Sequence, residues 1–229
     1  MNLGPRLFCF WTGAEIMSPA RLSALESLLK TDLKVIFIDD KNLSSWVLDH
    51  APLHRAYEYL SSVHKADYLR CYFMHYYGGA YCDIKFIQDS WLIAYEDLFH
   101  SKSFINGYRE INFLQTAKGR GFIKDLWLSL NFFRVIGNGA FICKSNTIFT
   151  KQWISNVHEI LDKKYELLKL HPARDSRDFY HKNLYAGSRS FYPLRWAQIC
   201  GEVLHPLCLK HSNKIIKTLP TPNFNLDYL

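Results

Sequence analysis

The sequence of 229 residues lacks several features that define common classes of protein. The amino-terminal stretch MNLGPRLFCFWTG has neither a long apolar region nor a small-residue cleavage site, so no signal peptide is predicted. No run approaches the ~18 apolar residues that a membrane-spanning helix needs. There is also no internal repeat, no low-complexity linker and no break in composition. We therefore expect one soluble domain that is at most attached to a membrane surface.

Cysteine pairs are missing as well. The six cysteines form no CxxC pair and no zinc spacing, which disfavours a zinc module. Each lies in an apolar or aromatic run, where a free cysteine behaves as a small hydrophobic residue. We expect all six to be buried, reduced thiols, and hence a cytoplasmic compartment. They are Cys9, Cys71, Cys82, Cys143, Cys200 and Cys208.

Long tracts of one charge are absent, although the net charge is +7. The 28 lysines and arginines are scattered, and no RNP, zinc-finger or helix-turn-helix signature accompanies them. An excess of basic over acidic residues favours anionic partners such as nucleic acid, acidic lipid headgroups or phosphorylated small molecules. We expect no nucleic-acid partner, and a salt-dependent gel shift would test that alternative.

Apolar periodicity in the first part of the chain predicts a β-α-β unit followed by further helices and a strand. A strand, a helix and a strand within about 40 residues favour a parallel pair with a right-handed crossover. The predicted elements are a strand at 7–11, a helix at 18–30, a strand at 33–39, helices at 42–50 and 55–77, and a strand at 80–87.

The pattern is weaker in the second part. Strands are predicted at 103–108 and 139–144 and a helix at 147–170, followed by a polar, aromatic loop at 176–196 and an irregular tail that contains Pro206. Together these elements predict an α/β domain with a mixed, mostly parallel sheet flanked by helices.

The stretch KADYLRCYFMHYYGGAYCDIKF, at 65–86, carries charges that packing alone does not require. Asp67 and Arg70 are three residues apart on a predicted helix, so they either form an ordinary surface pair or reach into one shared space. Asp83 and Lys85 lie on one face of a predicted strand, where a buried charge is costly unless it is paired or bound. They either pair at a sheet edge or line an anion-handling cleft outside the carboxyl ends of the strands.

Two glycines separate these charged pairs. Gly78 is predicted to take the position after the helix, where a left-handed residue ends it. Gly79 is not needed for capping, and a second glycine suits a place where the backbone comes close to another chain or to a ligand.

At these residues the chain resembles GT-A glycosyltransferases of the family 32 type, which include bacterial capsular polysaccharide synthesis proteins. Their pattern, sDxxRyxxLyxyGGxYxDxD, is followed without a gap from Ala66 to Asp83. FCFWTG at 8–13 is similar to their amino-terminal motif, and IGNGAFICK at 136–144 is similar to a later sugar-facing segment. The final third of the chain matches only loosely.

The resemblance implies a single Rossmann-like GT-A domain over 1–229, with 1–145 as the nucleotide-sugar donor half and 146–229 as the acceptor half. The implied reaction transfers a hexosyl unit, with retention, from a nucleotide diphosphate sugar to a saccharide or lipid-linked glycan. Surface polysaccharide synthesis is the implied pathway. A basic protein of this kind fits peripheral contact with the anionic inner surface of the membrane.

The resemblance also implies roles for particular residues. Trp11 and Thr12 would contact the nucleotide base and ribose, although core packing is the alternative for Trp11. Asn138 would contact the sugar or acceptor, unless it only forms a tight turn. The expected donor-binding residues are Trp11, Thr12, Asp67, Arg70, Gly78, Gly79 and Asp83. The expected catalytic residues are Asp83, Lys85 and Asn138.

Lys85 departs from the family pattern, which has a second aspartate at this position. Paired carboxylates there hold a divalent cation such as Mn²⁺ or Mg²⁺, which prefers oxygen ligands. Lys85 would either weaken the metal dependence or contact phosphate directly. A metal held by Asp83 and a later residue, His205 or His211, is the expectation for the cofactor. The alternative function is a catalytically inactive sugar-nucleotide or glycan-binding protein on the same scaffold.

Overall fold

The computed structural model describes residues 4–13, 15–182 and 189–226. Within them, the strands are β1 (Arg6–Trp11), β2 (Lys34–Asp39), β3 (Gly79–Cys82), β4 (Ile105–Arg109), β5 (Ile136–Cys143) and β6 (Ile215–Ile216). The α-helices are α1 (Pro19–Ser27), α2 (Ser62–Tyr76), α3 (Leu92–His100), α4 (Phe122–Leu130), α5 (Ile148–Leu170) and α6 (Gly201–Lys210).

The strands form one mixed sheet in the order β2-β1-β3-β5-β4-β6. β1 pairs in parallel with β2 and β3, and β4 pairs in parallel with β6, whereas β5 is antiparallel to both of its neighbours. One apolar layer packs beneath α2, α5 and α6, and a second packs beneath α1 and α3. The predicted α/β class, with a mixed and mostly parallel sheet flanked by helices, is confirmed.

The β-α-β unit at the start of the chain is also confirmed. β1 and β2 are in register from Arg6 and Lys34 to Trp11 and Asp39. The connecting α1 begins after Ser18, whose side chain accepts a hydrogen bond from the Arg21 backbone N–H. The helix ends earlier than predicted, because the chain tightens into a 3-10 turn at Leu28–Thr31.

Two helix predictions between β2 and β3 are wrong in extent. The predicted helix at 42–50 is only a 3-10 turn, Leu43–Trp46. The helix predicted from residue 55 begins at Ser62, because Ser61 is extended and its hydroxyl accepts the His64 backbone N–H as an N-cap. Gly78 ends this helix region with φ of +65°, as predicted for a left-handed residue.

β3 ends at Cys82, five residues earlier than predicted. The Asp83 backbone N–H donates to the Gly139 carbonyl at 2.7 Å, and beyond it the strand leaves the sheet. Arg21 Nη1 donates to the Ile84 carbonyl at 2.7 Å, so a side chain replaces a strand partner there. Asp83 and Lys85 therefore follow the carboxyl end of β3 and do not lie within the strand.

The predicted irregular tail is wrong, because it contains α6. Pro206 lies inside this helix, where its ring removes one backbone hydrogen bond. Leu204, Leu207 and Cys208 are buried in the layer under α2 and α5, and this packing outweighs the cost of the proline. All six cysteines are free and buried, as predicted. Within the described ranges, no helix is both long enough and apolar enough to cross a membrane.

Candidate functional site

A cleft of about 520 Å³ opens at the edge of the sheet where β1 and β3 end. β5 runs antiparallel to β3, so its amino-terminal residues reach the same edge. The first turns of α2 form one wall, and Ser176, Arg177 and Trp196 come from the segment predicted as a polar, aromatic loop at 176–196. Residues 183–188 of that segment lie outside the described residues. The sheet edge that holds this cleft is where open α/β folds bind their ligands.

Arg70 is the buried centre of the cleft floor. Its Nη2 lies 2.9 Å from Asp67 Oδ1 and 3.3 Å from Asp83 Oδ1. Its Nη1 donates to the Asn138 carbonyl at 2.7 Å, and its guanidinium carbon lies 4.7 Å from the centre of the Tyr81 ring. These contacts hold one cation between α2, the end of β3 and the start of β5. The charge is fixed before any ligand arrives.

Asp83 and the exposed Glu15 are the two carboxylates among the lining residues of the cleft, and Asp83 is the one that contacts Arg70. Its side chain is about one-third accessible, whereas that of Asp67 is 5% accessible. Asp83 Oδ1 accepts hydrogen bonds from the Tyr81 hydroxyl and from Arg70. Oδ2 lies on the side of Gly139, where an added Cβ would approach it to 3.2 Å. The carboxylate is therefore held in orientation on one oxygen and presented to the cleft.

Three further cations line the same cleft: Arg21, Lys85 and Arg177. Burial, followed by the charge of Arg21, lowers the pKa of Lys85, and Arg177 acts in the same direction while Asp83 opposes it. The Lys85 ammonium also lies 5.8 Å from the centre of the Phe224 ring. Like charges gathered in a partly buried space favour an anionic ligand that would relieve their repulsion.

Trp11 and Thr12 line the cleft at the carboxyl end of β1. Trp11 is half-buried, and its indole N–H donates to the Glu15 carbonyl at 2.8 Å. The Thr12 hydroxyl donates to the Ser62 carbonyl at 2.9 Å, which fixes the β1 end against the start of α2. Gly13 follows with φ of +97°, and an added Cβ would meet the Ser62 hydroxyl at 2.4 Å. The wall beside Trp11 is thus tightly built.

Asp67 lies behind Arg70 and does not belong to the cleft lining. Burial is the largest influence on its carboxyl group and raises its pKa, while Arg70 lowers that pKa in part. Direct donor binding, expected of Asp67 from the resemblance, does not fit this position. Its place in the structure is that of a positioning residue for Arg70.

Gly78 and Gly79 lie at the amino end of β3, opposite the cleft. A Cβ at Gly78 would meet the Ser145 backbone nitrogen at 2.7 Å, and one at Gly79 would meet the Arg6 side chain at 2.8 Å. Both residues have positive φ. Packing of the chain on itself therefore accounts for both glycines, and the donor binding expected of Gly78 and Gly79 does not fit their position.

Asn138 joins the cleft to a second cavity of about 580 Å³. It lies within β5, so the alternative of a tight turn is wrong. Its carbonyl accepts from Arg70, while its side chain lines the second cavity. Trp196 lines both spaces. Gly137 beside it is required, because a Cβ there would lie 1.7 Å from the Tyr108 ring.

His205 lies on α6, fully buried, and does not belong to the cleft lining that contains Asp83. Its Nδ1 accepts the Ala117 backbone N–H at 3.0 Å. Burial lowers the pKa of His205 to about 4, so the ring is neutral near pH 7. The shared metal site expected for Asp83 and His205 therefore does not fit their positions. His211 contacts Gln152 on α5 instead.

The donor set around Asp83 is incomplete for a metal. Within the described ranges, no three His, Cys, Asp or Glu side chains are grouped to hold an ion. Asp83 Oδ1 is already bonded to Arg70 and Tyr81, and Lys85 lies in the same cleft. The residues of the chain do not by themselves fit a divalent cation. The cofactor stays a prediction that depends on ligands from the donor phosphates.

Sequence reasoning missed several residues of the cleft. In the sequence, Arg21 is recognisable only as a basic residue on a predicted helix. Arg177 is recognisable only as one charged residue in a long polar loop. The side chain of Trp196 is about half exposed at the mouth of the cleft. Arg21 comes from α1, and Arg177 and Trp196 come from opposite ends of the 176–196 segment, so no local spacing connects the three.

Comparisons with known proteins give a distant structural similarity and no match in sequence. A solved structure titled "PaToxG Glycosyltransferase" is similar with a TM-score of 0.42 and 12% sequence identity, over 72% of this chain and 64% of that chain. The chain thus spans less than two thirds of that structure's length. No protein-family model matches the sequence, and no curated protein matches it.

Proposed function

We propose that the protein is a glycosyltransferase of the GT-A type, which transfers a hexosyl unit from a nucleotide diphosphate sugar. The single observation that carries this proposal is the exposed Asp83, held by Arg70 at the end of β3 in a cleft lined by further cations. The sequence segment that resembles family 32 enzymes supplies both residues. Retention of configuration and a role in surface polysaccharide synthesis follow from that resemblance.

The nucleotide would bind along the end of β1. Trp11 offers a half-buried aromatic face for the base, and Thr12 is fixed beside it by Ser62. Asp83 would accept hydrogen bonds from ribose or sugar hydroxyls, because Tyr81 and Arg70 hold its other oxygen in place. These contacts would position the anomeric carbon before the bond breaks.

Cleavage of the anomeric C–O bond moves negative charge onto the departing diphosphate. Lys85, Arg21 and Arg177 line the same cleft and would stabilise that charge. Arg177 and Arg21 offer planar groups that suit phosphate oxygens, while Lys85 offers a compact charge. The cations of the chain would supply this stabilisation, and Arg21 is already held in place by its hydrogen bond to the Ile84 carbonyl.

The acceptor would occupy the second cavity. This cavity shares Trp196 with the cleft, and polar groups such as Thr116, Arg195 and Glu202 line it. Such groups suit a saccharide, whose hydroxyls both donate and accept hydrogen bonds. A saccharide or lipid-linked glycan is therefore the acceptor class that we propose. The buried thiols agree with a reaction in a reducing, cytoplasmic compartment.

A screen of UDP-, GDP- and CMP-sugars tests this proposal. Hydrolysis of one donor is expected in the absence of acceptor, together with a rise in melting temperature on addition of the matching nucleoside diphosphate. Arg70→Ala should raise the donor KM or lower kcat, whereas the exposed Arg55→Ala should change neither. Absence of both turnover and nucleotide binding for all donors would contradict the proposal.

Lys85 favours a second candidate, a protein that binds a sugar nucleotide without turnover. A lysine in place of the second carboxylate removes a ligand that related enzymes use for their metal. The same screen separates the two functions. Binding of a nucleotide sugar with no hydrolysis, both with EDTA and with added Mn²⁺, would support the binding protein over the enzyme.

A further inference from the structure

The helix α4 exposes an apolar face to solvent. Phe122 and Ile123 are more than 80% exposed, and Trp127 and Leu130 are about 60% exposed. Leu126 is exposed beside them. A surface helix of a globular protein normally turns its apolar stripe inward, so this orientation is the reverse of the usual one.

The exposed residues form one continuous face. At about 100° per residue, positions 122, 123, 126, 127 and 130 fall within roughly 140° of the helix circumference. The opposite side anchors the helix, since Leu128 is fully buried and Asp125 accepts the backbone N–H groups of Gly119 and Arg120. The outward direction of the apolar face is therefore fixed by contacts to the body of the protein.

Neighbouring segments enlarge this face. Ile111, Phe113 and Leu114 precede α4 and are exposed, and Phe133 follows it and is also exposed. The 3-10 turn Phe113–Gln115 packs against α4, with the hydroxyls of Thr116 and Ser129 3.2 Å apart. We call the exposed apolar residues of 111–133 the α4 face. A contiguous apolar face of this kind marks an interaction surface.

The charges around the α4 face are mainly positive. Residues 109–134 contain five cations and only two carboxylates. The cations are Arg109, Lys118, Arg120, Lys124 and Arg134. Of the carboxylates, Asp125 is turned to the backbone N–H groups of Gly119 and Arg120, and Glu110 is buried. The whole chain has a net charge of +7, so the balance near α4 has the same sign.

We propose that the α4 face docks on an anionic lipid bilayer. Phe, Trp, Leu and Ile on one face, with lysine and arginine beside them, form the pattern of a helix that lies in the membrane interface. The nine residues of α4 extend about 13 Å, so the helix would lie on the bilayer without crossing it. A second copy of the chain suits the surface less well, because the surrounding cations would face each other across a symmetric contact.

Docking in this orientation would also present the second cavity to the membrane. Leu114 belongs to the α4 face and lines the second cavity, and the residues after it continue the cavity wall. A glycan that is linked to a lipid could then enter from the bilayer surface. This consequence depends on the proposed function, whereas membrane docking itself does not.

Vesicle flotation of the full chain tests the docking. The vesicles would be phosphatidylcholine alone, or phosphatidylcholine with about one-third phosphatidylglycerol. We expect the protein to float with the anionic vesicles and to do so far less with neutral ones. The double variant F122S/W127S should lower the partition coefficient about tenfold or more. The double variant I93S/L170S removes two exposed apolar residues elsewhere and should change it less than about twofold.

Two further measurements make the result decisive. Melting temperature verifies that both double variants are folded, and light scattering on a sizing column reports oligomers. Lys124→Glu should weaken flotation with anionic vesicles only. The proposal is overturned if the protein does not float, if F122S/W127S floats like the wild type, or if that variant instead abolishes a dimer. None of these outcomes depends on sugar-nucleotide turnover, so failure here leaves the proposed function standing.

Discussion

The guanidinium of Arg70 lies 2.9 Å from the carboxylate of Asp67, and both side chains are more than nine-tenths buried. The pair is formed within α2, three residues apart, but it acts at the cleft floor through the contact of Arg70 with Asp83. Two carboxylates therefore share one cation. One of them, Asp67, is sealed in the interior, and the other, Asp83, is open to the cleft. In the proposed function, Asp67 would position Arg70 and Asp83 would contact the ligand.

Asp67→Asn should destabilise the protein, because it leaves Arg70 with less counter-charge in a buried place. We expect a loss of about 3 kcal/mol in the free energy of unfolding, measured by urea denaturation. Asp162→Asn is the matched control, since Asp162 pairs with Arg55 at 3.0 Å on the surface. That exposed pair should contribute less than about 1 kcal/mol. Equal effects of the two variants would contradict the role of Asp67.

Asp83→Ala should abolish glycosyl transfer while leaving the fold intact. The carboxylate is one-third exposed and follows the end of β3, so its removal creates no large cavity. We expect kcat/KM for the donor to fall about 100-fold or more, as for other preorganised polar groups in active sites. Melting temperature serves as the control for folding. A variant that keeps full activity would refute the role of Asp83.

Much of the first half of the fold could be predicted, because its signals are local. Ser18 caps α1, β1 and β2 are short apolar runs, and Gly78 is left-handed after α2. Each of these features depends on residues within a few positions along the chain. Trp11 was expected at the end of β1 for the same reason, and it lines the cleft.

The early end of β3 could not be predicted from local pattern. Polarity alternates from Tyr81 through Phe86, which favours a longer strand. The strand ends because Arg21 of α1 donates to the Ile84 carbonyl, and Arg21 is distant in sequence. The same contact brings Arg21 to the cleft beside Lys85. Because this interaction joins residues that are distant in sequence, local pattern predicted neither the end of β3 nor the presence of Arg21 in the cleft.

The helix α6 was missed for a different reason. Pro206 signals an irregular chain, and its intrinsic cost in a helix is about 3 kcal/mol. Burial of Leu204, Leu207 and Cys208 against the helix layer outweighs that cost. Since burial depends on the completed fold, local propensity gave the wrong structure here. His205 was placed at a metal site by sequence reasoning, but on α6 it points into the core.

The buried His205 should make stability fall in mild acid. Its pKa is about 4 in the folded protein, below its ordinary value of 6.5, because burial disfavours the charged ring. The unfolded chain therefore binds more protons between these values, and stability is lost as pH falls from about 6.5 to 4. The loss is at most about 3 kcal/mol. In the His205→Gln variant, the urea concentration at the midpoint of unfolding should depend less on pH across this range. His50→Gln, on the surface, should leave that dependence on pH unchanged.

Arg177→Gln should weaken donor binding without affecting the fold. Arg177 is exposed at the mouth of the cleft, where it faces the same space as Lys85 and Arg21. Loss of one phosphate contact should raise the Kd of the nucleoside diphosphate about tenfold, as measured by calorimetry. The nucleoside without phosphates should bind equally to both proteins. If its affinity falls by the same factor, Arg177 contacts the base or the ribose and the assignment is wrong.

Lys85→Asp should increase the dependence of the reaction on a divalent cation. The change restores a second carboxylate two residues after Asp83 and removes a charge that repels metal ions. We expect wild-type donor hydrolysis to change little with EDTA, because in the proposed reaction Lys85, Arg21 and Arg177, which line the cleft, would stabilise the leaving diphosphate. The variant should lose activity in EDTA and recover it with Mn²⁺. The melting temperature in the presence of Mn²⁺ and a nucleoside diphosphate reports binding of both, and this measurement does not need turnover.

Lys85→Met is the matched control for this experiment, because it removes the charge and adds no carboxylate. It should lower activity both with and without Mn²⁺, since neither the ammonium nor a new ligand is present. If the wild type is inactive in EDTA and Lys85→Met is not impaired, the metal neutralises the diphosphate and the lysine does not. If Lys85→Asp and Lys85→Met both unfold, the ammonium is a structural partner in the half-buried space beside Phe224.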